Sequence, residues 1–191
     1  MISKSVIVDF LRRDINISRI NFSFGRYKVY PTAYQKDVAD AIDSGEIVIG
    51  TAVSKGAGAT YILNFDSLEL SHGFSLSTSE EKGLLVHECT HAHLDIQNFG
   101  SHSGHENEAV AYVAEAVFLE AAGYPPISTH PIRVISHGIA KKLLAGAYSV
   151  GAADSATLVA AVAAEPQYSS KALYMSDGFN RSIVSKVVRH L

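Results

Sequence analysis

The chain of 191 residues has one cysteine, Cys89. No internal disulfide can form, so stability must come from a packed core, with a bound metal as the other available staple. Charge is sparse: 18% of the residues are Asp, Glu, Lys or Arg, and the net charge is −3. Basic residues never run longer than a pair, as at Arg12-Arg13 and Lys141-Lys142. That excludes the basic stripe of a nucleic-acid or anionic-lipid surface. Long apolar runs are missing too. No stretch reaches the roughly 20 residues of a membrane-spanning helix, and the N-terminal apolar run is too short for a secretory signal. A cytoplasmic location is expected, with export without a cleaved leader, as an effector toxin, as the alternative.

What is present is a hydrophobic content of 47%, enough for one domain with its own core over residues 1–191. Within it stands His87-Glu88-Cys89-Thr90-His91, an H-E-x-x-H motif preceded by apolar Leu84, Leu85 and Val86. Thr78 and Glu81 form a capping box just upstream, so the pattern predicts a helix over 79–97, with Asn98 and Gly100 closing it. On a helix, His87 and His91 lie one turn apart on one face and can aim two ring nitrogens at one metal ion. Glu88 lies about 100° round from His87, close enough to reach a water at that metal without ligating. Two neutral nitrogens, a third ligand, an open position and a nearby base are what zinc needs to hydrolyse an amide. Nine histidines also make a chance match real, and the helix signals are what weigh against it.

The third ligand must come from elsewhere. A short polar turn, 99–104, leads into a second helical pattern over 105–120, and a connection this short predicts two antiparallel, packed helices. Glu108, in the first turn of the second helix, fits best. Glu115, two turns on, is better placed to support a ligand imidazole. His102 and His105, flanking Gly104, stay open as competing ligands. Asp95 can hydrogen-bond an imidazole or be an ordinary helix-end carboxylate. His93 is expected to face away from the metal, and Cys89, on the face opposite His87, to be a small buried hydrophobe.

His87-Glu88-x-x-His91 followed by Asn107-Glu108-x-x-Ala111-Tyr112 resembles the gluzincin branch of zinc metallopeptidases, especially small single-domain bacterial proteins with H-E-x-x-H-A and E-x-x-A-Y. The resemblance covers residues 83–119, a fifth of the chain. It implies Zn²⁺ held by His87, His91 and Glu108, with Glu88 as general base on a peptide or protein substrate. Its spacing is shorter than in thermolysin-like enzymes, and Tyr112 stands where those carry a supporting Asp. A metzincin pattern would need Gly at Leu94 and His at Gln97. In gluzincins a downstream histidine often steadies the oxyanion, which makes His137 a candidate beside Tyr112, against the alternative of a core histidine.

The fold class implied is α+β: a zincin-like domain with a small antiparallel sheet, the H-E-x-x-H helix and a mainly helical C-terminal half. Spacing predicts helices over 5–14, from Pro31 to about Ser44-Gly45, over 131–145 and over 154–164. The aromatic-rich stretch 21–30 reads as extended or turning. Segments 46–53 and 58–65 read as a hairpin about Lys55-Gly56-Ala57-Gly58, with 64–72 as a third strand. An edge strand beside the cleft would bind an extended peptide by strand addition. A turn at Ser176-Asp177-Gly178 and a last helix are expected near the end. Two non-catalytic readings compete: a metal-stapled binding module and a metal-free structural domain.

Overall fold

A serine hydroxyl opens the fold. In the computed structural model, which describes residues 2–51, 58–98, 101–124, 129–168 and 174–175, Ser3 caps α1, Lys4–Arg13, by accepting from the N–H of Val6. The aromatic-rich stretch then forms two strands, β1, Phe22–Phe24, and β2, Tyr27–Val29, paired antiparallel. Gly25 turns the chain between them at φ +55°, a conformation that glycine takes without steric cost. Alternation buries Phe22, Phe24, Tyr27 and Val29. The helix expected from Pro31 is present, but it winds as a π-helix over Ala33–Val38 before tightening into α2, Ala39–Ser44. Gly45, at φ +84°, closes it.

The sheet corrects the expected hairpin. Strands β3, Val48–Gly50, β4, Ala59–Ile62, and β5, Ser67–Leu70, lie in the order β3-β5-β4. β3 runs parallel to β5 and β4 antiparallel to it, so the sheet is mixed. The reason lies in burial: β5 is the most buried of the three and takes the centre, while the exposed β3 takes an edge. Residues 52–57, which hold most of the expected loop, are outside the described residues.

The Thr78 and Glu81 capping box forms as the sequence predicts and opens α3, Ser79–Ile96. The chain leaves α3 through Asn98, at φ +48°. After β6, Ser101–His102, Ser103 caps α4, Gly104–Ala121. Pro131 stands at the start of α5, Pro131–Leu144, and α6, Ala152–Ala163, follows. Among the described residues no helix is long and apolar enough to cross a membrane. A short strand, β7, Tyr174–Met175, returns antiparallel to β6. The expected turn at 176–178 and a last helix fall outside the described residues.

The result is a mixed α+β fold, mostly helical, with α4 as its axis. Val110, Val113, Val117, Phe118 and Leu119 are all buried, so α4 is covered all round, as an evenly hydrophobic helix must be. It packs against α3, α5 and α6. Gly83 lets α3 approach closely: a Cβ there would stand 3.2 Å from the Leu119 methyls and 3.3 Å from Glu115 Cγ. Polar side chains on the facing sides of α3 and α4 are thereby sealed between the two helices.

Candidate metal centre

His87, Glu88 and His91 come from the middle of α3, and Glu108 comes from the start of α4. All four are buried. Glu108 Oε2 lies 3.4 Å from His87 Nε2 and 3.7 Å from His91 Nε2, and the three ligand atoms lie within 4.8 Å of one another. Donors about 2.0–2.1 Å from a tetrahedral zinc stand about 3.3 Å apart. The spacing therefore fits a metal ion, and two nitrogens with one carboxylate is a donor set that zinc accepts.

Each histidine is oriented from behind. His91 Nδ1 is hydrogen-bonded to Asn107 Oδ1. An amide oxygen only accepts, so the ring proton sits on Nδ1 and Nε2 presents its lone pair to the centre. Glu115 Oε2 lies 3.4 Å from His87 Nδ1, near enough to attract the ring proton although the pair is not aligned as a full hydrogen bond. The other oxygen of Glu115 is held by Arg133 Nη1 from α5. Burial alone would lower the pKa of His87, but the Glu108 and Glu115 carboxylates outweigh it and hold the imidazole well above its ordinary value. Burial pushes Glu115 up, yet His87 and Arg133 pull it below the usual carboxylate range.

Glu88 is not one of the three clustered ligands. Its Oε2 instead accepts from the backbone N–H of Tyr61 at 2.7 Å. Strand chemistry explains the orientation. The Ser71 N–H bonds Gly58 O, so in the antiparallel ladder Thr60 and Ile62 also turn their backbone groups to β5, and those of Ala59 and Tyr61 point away from it. The Tyr61 phenol donates to Asp95 Oδ2 at 3.0 Å and Asp66 Oδ1 at 3.3 Å. Asp95 is thus a buried partner of Tyr61, a role that neither expectation for it included. A cavity of about 220 Å³ opens here, walled by Ala59, Thr60 and Tyr61 on the sheet edge, the clustered ligands and Glu88 on its floor, and Tyr112, Arg133 and Tyr168 opposite.

The remaining candidates separate. The Tyr112 ring stacks edge-on against His87, with centroids 4.7 Å apart, and its hydroxyl is 2.7 Å from that of Tyr168. His137 does not line this cavity. Its Nδ1 is 2.8 Å from Glu120 Oε1, and Glu120 is about 18 Å along α4 from Glu108. Register is the cause: α5 sets Arg133 against Glu115 and, one turn on, His137 against Glu120. The oxyanion role expected of His137 would therefore need a different residue.

His105 Nε2 is 3.0 Å from the Tyr168 carbonyl and outside the ligand cluster, and the His102 side chain lies outside the described residues. His93 turns away, with Nε2 3.0 Å from Lys28 O and its ring against Tyr30. Cys89 is buried, and burial raises its pKa. Arg133, Tyr168, Asn107 and Tyr61 were not singled out for these places by sequence. For Asn107 a signal existed, since it precedes the third ligand at a capped helix start. Arg133 and Tyr168 had none, because only tertiary packing brings α5 and the 3₁₀ turn Pro166–Tyr168 to α4 at the cavity.

Comparison with known proteins finds no family model that matches the sequence, no curated protein that matches it and no solved structure that matches the fold.

Proposed function

We propose that the protein is a zinc-dependent peptidase with a zincin-like domain, in which His87, His91 and Glu108 hold the metal and Glu88 is the general base. The observation that carries this reading is Glu88 itself: a buried carboxylate, not ligating, fixed by a strand N–H beside a three-donor cluster that leaves a fourth position towards a cavity. A purely structural metal site has no use for it. Bound zinc supplies a Lewis acid that acidifies water and polarises a carbonyl.

The chain's own groups do the rest. Glu88 takes the proton of the attacking water and passes it to the leaving amine. Tyr61 N–H holds one oxygen of that carboxylate and so fixes its position beside the ligand cluster. Asn107 keeps the proton of His91 on Nδ1. Tyr112 and Tyr168 line the cavity with paired hydroxyls, and one of them is the donor to the developing oxyanion. The outward backbone groups of Ala59 and the Tyr61 carbonyl take an extended peptide as an added strand. A screen of zinc-loaded protein against a peptide library, with Glu88→Gln as control, tests the reading: cleavage by the wild type alone supports it, and equal cleavage by both removes Glu88 as base.

A further inference from the structure

We infer that Arg133 makes this centre select peptides that carry a carboxylate within reach of the scissile bond, whether a chain terminus or an Asp or Glu side chain. The inference rests on the peptidase reading above and names its substrate class.

Arg133 stands at a junction. Besides the cavity at the metal centre it lines a second one of about 420 Å³, with Gly58, Ser71, Phe74 and Glu80. Leu84 and Arg133 are the residues common to both, so a peptide passing from one cavity into the other crosses the guanidinium. Gly58 leaves room for Leu84 at this junction, since a Cβ there would stand 2.7 Å from Leu84 Cδ2.

The guanidinium is held at one end and reachable at the other. Nη1 binds Glu115, and the guanidinium carbon sits 5.8 Å from the Tyr112 ring centroid. Its side chain is 25% exposed while that of Glu115 is 3% exposed. Arginine has five N–H donors in a rigid planar fork. Anchoring Glu115 uses one nitrogen, and the rest of the fork matches a carboxylate.

Charge points the same way. The cavity wall holds three carboxylates, Glu88, Glu108 and Glu115, and Arg133 is its one Lys or Arg among the described residues. A bound dication and Arg133 together balance those three charges. At the metal cavity an incoming carboxylate then meets a balanced wall with Arg133 at its edge. Without Arg133 it meets net negative charge there, to which Glu80 and Glu81 of the second cavity add. Neutralising Glu115 alone would need neither the exposure nor the position between two cavities.

The test uses the zinc-loaded full chain and internally quenched peptides in which one Glu, or its isostere Gln, is moved across the positions, with free and amidated C-termini. At one position the carboxylate is expected to raise kcat/KM about tenfold over its neutral counterpart, the scale of one charge-assisted hydrogen bond. That position being the terminus or a side chain identifies the source. Arg133→Gln should bring the ratio to about one, and Arg133→Lys should keep part of it. Because removing Arg133 also frees Glu115, the readout is the Glu-to-Gln ratio rather than the rate. The same ratio is read without turnover as peptide affinity, by fluorescence anisotropy on zinc-loaded Glu88→Gln with and without Arg133→Gln. A ratio unaltered by Arg133→Gln in both assays overturns the inference. Arg133-dependent binding without any cleavage by the wild type supports the anion subsite and sinks the peptidase reading. Neither cleavage nor binding overturns both.

Discussion

Tyr61 and Glu88 are joined through the backbone: the strand N–H donates to the carboxylate at 2.7 Å, so the edge that borders the cavity also aims the candidate base. The side chain of the same residue clamps the strand, with its hydroxyl on Asp95 and Asp66. Tyr61→Phe keeps the N–H and removes the clamp. Two buried carboxylates then lose a donor, at a cost of about 1–3 kcal/mol, measurable by urea denaturation. Zinc content should stay at the wild-type level while kcat falls more than KM changes, because the base is loosened and the metal is not.

The groups behind the histidines have a separate signature. Asn107→Ala removes the hydrogen-bond partner of one ligand imidazole, and Glu115→Gln removes the charge beside the other. Zinc affinity, read by competition with a chromophoric chelator, should drop about 10–100-fold in each variant. An unaltered affinity in both would show that neither residue orients a ligand.

Acidity should act on the metal-free protein from two sides. His87 has a pKa raised above its ordinary 6.5 in the folded chain. Its contribution to stability is therefore whole below pH 6.5 and is lost as pH rises through the higher folded value. Glu115 is depressed below its ordinary 4.5, so its contribution is whole above 4.5 and is lost as pH falls through the lower folded value. Thermal melts of metal-free protein should show the pair's full effect between those two ordinary values, and Glu115→Gln should flatten both limbs. Zinc must displace the His87 proton, so its affinity should fall with falling pH. Calorimetry in buffers of different ionisation enthalpy should register the proton released.

Local rules carried the ligand helix and its partner. The Thr78 capping box and the short spacing from His91 to Glu108 are short-range features, and the cluster of His87, His91 and Glu108 follows from them. Ser101–His102 of the expected turn, however, pair as a strand, and Gly104 already belongs to α4. What escaped depends on distant contacts. The parallel pairing of β3 with β5 is decided by which strand is most buried, which no spacing reveals. His137 is buried, as the alternative of a core histidine had it, and the register of α5 decides that Arg133, one turn earlier, and not His137 lines the cavity. Asp95 takes a partner from β4, the Tyr61 hydroxyl, which no spacing within its own helix reveals.

Close packing of α3 on α4 gives a further handle. Gly83→Ala would place a methyl 3.2 Å from Leu119 and 3.3 Å from Glu115. Leu119 is fully buried and Glu115 is tethered by His87 and Arg133, so neither yields freely. Overpacking of this kind costs about 1–3 kcal/mol, against about 1 kcal/mol gained from replacing a mid-helix glycine. The expected net result is a lower Tm together with weaker zinc binding, as Glu115 is pushed off His87.

The most direct test of the centre is paired on one sample: zinc per chain by atomic spectroscopy, and hydrolysis of a cleavable peptide, for the wild type and Glu88→Gln. One zinc in each protein, with hydrolysis at least about 10²-fold slower in the variant, is the expected result. Zinc absent from purified, zinc-supplemented wild type, or undiminished hydrolysis by Glu88→Gln, would contradict it.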